Sequence, residues 1–259
     1  MTGFDANGAA RALTELRDRR ARIDRLDPTP RTEAEGAAAQ HARARLLGAD
    51  PPAGFKVGAT ARRMQEYLGL SGPAAGFMRA SGVHASGATL RYADFTAPGV
   101  ECEVAVRLSR DVPPGPCSAE QAAAAVGEVM AGIEIVENRY GALDALGTPA
   151  LIADQVFHAA AVLGAGFAGW RGLDLDRLAG SITVDGETRG EGVGGDLLGH
   201  PMNSLAWLAS SEVAAAFGGL RAGQVVMLGS VTPPIWLDGP ASIVVAFPPL
   251  AEVRLRLAS

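Results

Sequence analysis

The chain has 259 residues, a formal net charge of −5 at pH 7 and a hydrophobic fraction of 48%. This acidic balance argues against nucleic acid or an anionic membrane as the main partner, because both need a basic protein face. No apolar run reaches the ~18 residues of a membrane span, and the charged N-terminal residues lack the apolar stretch of a signal peptide. We therefore expect a folded cytoplasmic protein in which Cys102 and Cys117 stay reduced.

Two amphipathic helices are predicted at the N-terminus, over residues 5–25 and 31–47, where apolar side chains recur at helical spacing. Beyond Pro51–Pro52, short β-like runs are separated by Gly/Pro turns. These runs are GFKVGAT, ATLRYADF, GVECEVAVRL, GIEIVENRY, SITVDG, QVVMLGSV, ASIVVAF and EVRLRL. The pattern predicts an α+β fold with a helical N-terminal lobe, residues 1–52, and a β-rich core, residues 53–259.

Three further helices are predicted within the core, over residues 118–132, 153–166 and 203–219. Ser118 and Asn203 are typical N-cap residues. The middle segment is apolar and rich in alanine. On it we expect Asp154 at the helix start and His158 as a histidine of the core.

Three glutamates stand out in the β-like runs. A strand over residues 100–108 has one wholly apolar face, and Glu101 and Glu103 share the other face about 7 Å apart at ~3.3 Å per residue. Glu134 lies between two isoleucines in a run typical of a strand buried on both faces. A buried carboxylate needs a partner, which is either a metal ion or an arginine such as Arg107 or Arg139.

A hard cation fits this set of ligands better than zinc does. Three carboxylates with no nearby His or Cys pattern favour Mg²⁺ or Mn²⁺. About three octahedral positions remain open, which suits a bidentate 2-oxo acid together with water. The sequence therefore predicts a catalytic metal site on Glu101, Glu103 and Glu134.

Lys56 is the one lysine among the 23 basic residues of the chain. In a background where arginine supplies the other positive charges, a surviving lysine indicates a need for its compact, titratable amine. We expect neighbouring cations to lower the pKa of Lys56 into a range useful for proton transfer.

These motifs resemble those of the 2-keto-4-pentenoate hydratase family, within the fumarylacetoacetate hydrolase superfamily. The matching segments run from about Gly54 to the C-terminus and keep the family's order. They are GFKVGAT, ECEVAVRL, GIEIVENR, ADQVFHAAAVLG, LLGHPMNSLAWLA and AGQVVMLGSVT. The resemblance implies a mixed β-roll core, a Mg²⁺ or Mn²⁺ cofactor and a homo-oligomer.

The resemblance also implies roles for individual residues. The family's metal-binding carboxylates fall on Glu101, Glu103 and Glu134, and its active-site lysine falls on Lys56. The segment LGSVTPP resembles the family loop G-S-(L/F)-T, in which Ser230 and Thr232 would bind a substrate carboxylate. Asp154 matches the aspartate of an (A/S)-D-N segment, although Gln155 replaces the asparagine, and it is a candidate acid or base.

One departure from the family bears on the reaction. Family hydratases often have P-D-(Y/F)-G after the lysine, whereas this chain has GPAAGF, with Ala74 in place of the aspartate. We expect a hydratase of a 2-hydroxy-2,4-dienoate. The alternatives are a decarboxylase of a 2-oxo-3-enedioate, an acylpyruvate hydrolase and a metal-binding protein without catalysis.

Overall fold

The computed structural model describes residues 3–68, 70–141 and 143–259. The helices in these ranges are α1 (Ala6–Asp18), α2 (Glu33–Leu46), α3 (Arg62–Leu68), α4 (Ala119–Ala125), α5 (Leu143–Ala153), α6 (Pro201–Ala209) and α7 (Glu212–Ala216). The strands are β1 (Gly54–Gly58), β2 (Ala74–Met78), β3 (Val83–Ala85), β4 (Ala88–Arg91), β5 (Pro98–Leu108), β6 (Val126–Glu137), β7 (His158–Leu163), β8 (Ala179–Val184), β9 (Glu187–Val193), β10 (Val225–Ser230), β11 (Ile235–Trp236), β12 (Ala241–Ala246) and β13 (Val253–Ala258).

The larger sheet has the order β2-β1-β10-β5-β6-β7-β3, and β11 pairs with β5. Its centre is the long antiparallel pair β5 and β6, which places Glu101 directly opposite Glu134. β1 runs parallel to β10 on one side of this pair, and β7 lies antiparallel to β6 on the other. The predicted apolar face of β5 is confirmed, since Cys102, Val104 and Val106 are fully buried.

The smaller sheet has the order β4-β13-β12-β8-β9 and packs against the larger one. The alternating sequences of β12 and β13 turn every second residue inward, so Ile243, Val245 and Val253 are fully buried. The mixed sheets with helices around them confirm the predicted α+β fold.

Both N-terminal helices are confirmed, with shorter bounds than predicted. Asp5 caps α1 and Thr32 caps α2 through side-chain oxygens that accept backbone N–H groups. α2 packs between α1 and α5, and its Gln40 and Arg43 are buried. Among the described helices, none has the length and apolarity needed to cross a membrane.

The helix predicted at 118–132 was wrong over its second half, and the helix predicted at 153–166 was wrong over all but its first residue. The helix at 118–132 ends at Ala125, and its second half belongs to β6. At 153–166 there is no helix beyond Ala153, the last residue of α5, so Asp154 follows a helix and does not begin one as predicted, and residues 158–163 form β7. Both strands are buried on both faces, and such an apolar, Ala-rich run does not alternate, so its periodicity does not separate strand from helix.

The third predicted helix, over residues 203–219, is two short helices, α6 and α7. Ser210 and Ser211 separate them, and the Ser211 side chain caps α7 by accepting the N–H of Ala214. This capping preference of serine explains why the helical segment restarts there.

Gly76 lets β2 approach the chain that follows α5. A Cβ atom at Gly76 would lie 2.5 Å from the carbonyl oxygen of Gln155, which is closer than any side chain tolerates. Glycine at this position therefore allows close backbone contact between β2 and Gln155.

We predict that Gly76→Ala lowers the free energy of unfolding by about 1–3 kcal/mol, the usual cost of overpacking. Gly72→Ala is the matched control, because nothing lies within 4 Å of a Cβ atom there. Chemical denaturation of both variants is the measurement. Equal unfolding midpoints for Gly76→Ala and the wild type would contradict the close contact.

Candidate metal centre

Three glutamates meet where β5 and β6 pair. Glu101 and Glu103 lie on one face of β5, and Glu134 faces Glu101 from β6. One carboxylate oxygen from each residue lies within 4.8 Å of the other two. Glu103 and Glu134 are buried, and Glu101 is half-buried at the wall of a cleft. The structure thus brings the three predicted metal ligands together.

Only part of this oxygen-rich cluster is satisfied by protein groups. The backbone N–H of Gly229 donates to Glu103 Oε2 at 2.9 Å. Glu134 Oε1 lies 3.3 Å from Lys56 Nζ and 2.8 Å from His158 Nδ1. Glu134 Oε2 is buried and has no hydrogen-bond partner among the described residues. A buried acceptor without a partner is costly, so this oxygen has room for a further ligand.

Burial and mutual repulsion change the pKa values of the cluster. Burial, followed by the charge of Glu134, raises the pKa of Glu101 to about 8. The same causes raise the pKa of Glu103 well above its ordinary value. Burial also acts to raise the pKa of Glu134, but the Lys56 ammonium and His158 outweigh it and lower that pKa. The centre therefore lacks positive charge.

The arginines that could have paired with these glutamates are engaged elsewhere. Arg107 lies 3.5 Å from Glu128 at the surface. Arg139 pairs with Asp154 and lies 3.9 Å from Glu137. Among the described residues, the ion pair of the glutamate cluster is the one with Lys56. The arrangement therefore favours a cation over an arginine as the missing partner.

Lys56 lies on β1, which β10 and β2 flank, and its side chain is 3% exposed. Its ammonium donates to the carbonyl oxygen of Val156 at 2.9 Å. Burial acts to lower the pKa of Lys56, but the charges of Glu134, Glu101 and Glu103 outweigh it, so the pKa is raised. The expected lowering of this pKa depends on a cation beside the amine, such as a metal ion bound to the three glutamates, and it stays a prediction.

His158 is a member of the site that the sequence pattern did not reveal. It begins β7, next to β6, and not a helix as predicted. Burial lowers its pKa, and the hydrogen bond to Glu134 only partly offsets this effect. A neutral histidine that donates from Nδ1 fixes the orientation of the Glu134 carboxylate. The one feature of the sequence that pointed to His158 was its position four residues after Asp154, within the segment ADQVFHAAAVLG that resembles the family.

A left-handed turn connects α5 to His158. Gln155, Val156 and Phe157 all have positive φ, at 64°, 53° and 64°. This conformation costs about 1–3 kcal/mol for each non-glycine residue, and most for the β-branched valine. The turn aims the Val156 carbonyl at Lys56 and places His158 beside Glu134.

Asp154 precedes this turn and is fully buried among arginines. Its Oδ1 accepts from Arg17 Nε at 3.0 Å, and its Oδ2 accepts from Arg139 and from the Tyr140 hydroxyl, the latter at 3.2 Å. Burial would raise the pKa of Asp154, but the arginines lower it. These contacts support a role in holding the turn, and the catalytic role of Asp154 stays a prediction.

Ser230 and Thr232 lie on the cleft wall beside Glu101. The cleft has a volume of about 1190 Å³ and also contains Glu191 and Asp196. The Ser230 hydroxyl exchanges hydrogen bonds of 3.2 Å with the backbone of Cys102 and accepts the Thr232 N–H at 3.2 Å. Both residues therefore line the cleft beside Glu101, and their role in substrate binding stays a prediction.

Comparison with known proteins places this centre in a family. The model of the Fumarylacetoacetate (FAA) hydrolase C-terminal family matches residues 53–257, which is most of the chain. The chain belongs to this family. The match spans every residue of the centre, whereas α1 and α2 lie outside it.

Curated relatives in the fumarylacetoacetate hydrolase family are named as hydratases and decarboxylases. A 2-keto-4-pentenoate hydratase of Burkholderia vietnamiensis is 31% identical over 201 residues, 78% of this chain and 76% of the relative. A 4-oxalocrotonate decarboxylase of Pseudomonas putida is 26% identical over 203 residues, with the same coverage. The relatives support an enzyme of the hydratase or decarboxylase type.

Solved structures confirm the fold. The 4-oxalocrotonate decarboxylase from Pseudomonas putida, complexed with magnesium and adipate, matches with a TM-score of 0.88 at 22% identity over 97% of both chains. A fumarylpyruvate hydrolase from Pseudomonas aeruginosa, in complex with Mn²⁺ and pyruvate, matches with a TM-score of 0.62 at 20% identity, covering 79% of this chain and 88% of the other. The expected fold of the fumarylacetoacetate hydrolase type is thus confirmed.

We predict that Asp154→Asn is destabilised at neutral pH by about 3–5 kcal/mol, because it leaves buried arginines unpaired. The folded-state pKa of Asp154 is lowered from 3.8, so its contribution to stability is complete above that value and is lost as the pH falls through the folded-state pKa. Denaturation curves from pH 7 to pH 3 should therefore show the difference from wild type shrinking at the acid end.

Asp94→Asn is the control for this series, because Asp94 forms a surface ion pair with Arg91. This variant should unfold with nearly the wild-type midpoint at pH 7. If Asp154→Asn behaves like Asp94→Asn, the arginine cluster does not stabilise the turn.

Proposed function

We propose that this protein is a divalent-metal-dependent hydratase that converts a 2-hydroxy-2,4-dienoate into a 4-hydroxy-2-oxo acid. The observation that carries the proposal is the convergence of Glu101, Glu103, Glu134 and Lys56 beside a cleft that Glu101 lines. The hydratase relatives at 31% identity support this choice. The expected homo-oligomer, cytoplasmic location and division at residue 52 stay predictions.

The three glutamates fit a hard divalent cation. All their ligating groups are carboxylate oxygens, which Mg²⁺ and Mn²⁺ prefer. The buried Glu134 Oε2 without a partner and the raised pKa values of Glu101 and Glu103 both indicate missing positive charge. When bound there, the ion would act as a Lewis acid that polarises the 2-oxo or 2-hydroxy acid group of a substrate.

Lys56 supplies the other positive charge. Its buried Nζ lies 3.3 Å from Glu134 Oε1, beside the proposed metal ligands, where an ammonium suits electrostatic stabilisation of negative charge on the substrate. Nζ also donates a hydrogen bond to the Val156 carbonyl oxygen. These two contacts hold the ammonium in place. We propose that Lys56 stabilises negative charge on the C2 oxygen while the dienol becomes a ketone.

The proposed reaction has two stages, ketonisation of the dienol and then addition of water. The enol hydroxyl loses its proton and C5 gains one, which gives a 2-oxo-3-enoate. Water next adds across the C3–C4 double bond, with hydroxide bonding to C4 and a proton to C3. His158 orients Glu134 through the 2.8 Å contact at Nδ1, and the substrate carboxylate lies toward Ser230 and Thr232.

A second candidate is decarboxylation of a 2-oxo-3-enedioate, and Ala74 favours it. On β2, Ala74 lies two residues from Gly76, which pairs with Lys56, so the Ala74 methyl group shares a sheet face with Lys56. A buried methyl group there cannot activate water, whereas loss of CO₂ needs only an acceptor for electrons. The relative named 4-oxalocrotonate decarboxylase supports this alternative.

An assay with Mg²⁺ separates the two reactions. The protein is mixed with 2-hydroxypenta-2,4-dienoate and, separately, with a 2-oxo-3-enedioate, while dienol absorbance and CO₂ release are recorded. We expect loss of dienol absorbance without CO₂. Release of CO₂ from the second substrate alone would favour decarboxylation, and inactivity on both would contradict the proposed function.

We predict that Glu103→Gln abolishes Mg²⁺ and Mn²⁺ binding, because the variant keeps the shape of the side chain and removes its charge. Calorimetric titration of the metal is the measurement. Glu128→Gln, at a half-exposed position of β6, is the matched control and should bind metal like the wild type. Unchanged metal affinity in Glu103→Gln would rule out the three-glutamate site.

We predict that Lys56→Arg lowers kcat by ~100-fold or more, the usual scale for a displaced electrostatic group. The space around Nζ is small, since a Cβ atom at Gly58 would lie 3.0 Å from it, and the larger guanidinium must shift. Steady-state kinetics are the measurement, with thermal unfolding as a check on the fold. A folded variant with near wild-type kcat would reduce Lys56 to a structural charge.

A further inference from the structure

The left-handed turn at residues 155–157 is joined to the candidate metal centre on one side. The Val156 carbonyl accepts from Lys56 Nζ at 2.9 Å, and the end of the turn places His158 Nδ1 2.8 Å from Glu134. A shift of the turn would therefore move two groups that contact the centre. Since left-handed valine and phenylalanine are unfavourable, other contacts must hold the turn in this conformation.

Those contacts come largely from the N-terminal helices. Arg17 on α1 donates from Nε to Asp154 Oδ1 at 3.0 Å and from Nη2 to the Asp154 backbone carbonyl at 3.0 Å. Arg43 on α2 donates to the side-chain oxygen of Gln155, whose amide donates to the Phe77 carbonyl at 2.6 Å. Asp154 is thus held at its side chain and its backbone, and Gln155 is held at both polar atoms of its side chain.

Arg17 differs from its neighbours on α1. Its side chain is 17% exposed and contacts Asp154, which lies 137 residues later in the sequence. Arg19, two residues later, is 72% exposed and pairs with Glu15 on the same helix. The two-point contact of Arg17 with a single residue fixes both the position and the direction of the chain that enters the turn.

We propose that Arg17 is a positioning residue of the active site. Through Asp154 it holds the turn at residues 155–157. The turn then fixes the position of Lys56 relative to Glu134. The N-terminal helices, which lie outside the family match at residues 53–257, are thereby a working part of the site without touching the substrate. This inference does not depend on which reaction the protein catalyses.

The single lysine of the chain gives a direct test, because ¹⁵N-labelled lysine yields one ammonium signal, that of Lys56. The metal-free protein is used, without substrate, and exchange of the Nζ protons with water is measured by NMR well below the unfolding midpoint. In the wild type we expect slow exchange, because Nζ is buried and bonded to Val156.

We expect Arg17→Met to speed this exchange roughly tenfold or more by loosening the turn, while amide exchange in β5 and β6 stays slow. Arg19→Met, at the C-cap of the same helix, is the matched control and should leave the Lys56 signal unchanged. A residue that only attached α1 to the core would lower the unfolding midpoint without moving the Lys56 signal. A folded Arg17→Met protein with wild-type exchange at Lys56 would therefore overturn the proposal.

Arg17→Lys decides the matter if Arg17→Met does not fold. It keeps the positive charge, but a single ammonium cannot reproduce the two-point contact that Arg17 makes from Nε and Nη2 with Asp154. The introduced lysine adds a second ammonium signal, which comparison with the wild-type spectrum separates from that of Lys56. Faster exchange at Lys56 in this variant supports the positioning role, and wild-type exchange overturns it. Failure of the hydratase assay would leave both results interpretable, because neither measurement uses catalysis.

Discussion

The candidate site depends on an excess of buried negative charge. Glu101, Glu103 and Glu134 converge on a space that Lys56 enters with a single positive charge. In a medium of low polarity, such an imbalance is tolerated if protons bind, as the raised pKa values of Glu101 and Glu103 indicate, or if a cation does. The same imbalance that destabilises the metal-free site favours metal binding.

The rest of the core provides a rigid frame for this charge. β5 and β6 are long, paired along most of their length and covered by apolar side chains, so the glutamates cannot move apart at low cost. Gly229, with φ of 116°, turns its N–H toward Glu103 Oε2. Lys56 and His158 approach Glu134 from strands on opposite sides of the pair.

A second cluster of buried charged groups lies near the first, and in this one the positive charges outnumber the negative. There Asp154 is surrounded by Arg17, Arg43 and Arg139, and the turn at residues 155–157 separates this cluster from the glutamates. Each cluster fixes one side of the turn. The unfavourable backbone of the turn is thus offset by ion pairs on one side and by the contacts of Lys56 and His158 on the other.

The sequence predicted which residues meet at the candidate centre better than the elements around it. Glu101, Glu103 and Lys56 lie in alternating or Gly-flanked runs whose strands could be predicted, and the family resemblance added to that pattern in selecting them. His158 was assigned to a helix, because residues 158–163 of β7 are as apolar and Ala-rich as a buried helix. The link between Arg17 and Asp154 spans 137 residues, and no local spacing indicates a contact of that range.

The most direct test of the account is anomalous diffraction from crystals soaked in Mn²⁺. The account predicts one strong anomalous peak among the carboxylates of Glu101, Glu103 and Glu134, about 2.0–2.3 Å from one oxygen of each, as hard cations bind carboxylates. A peak at another acidic position of the cleft, such as Glu191 or Asp196, or no peak at saturating Mn²⁺, would contradict it.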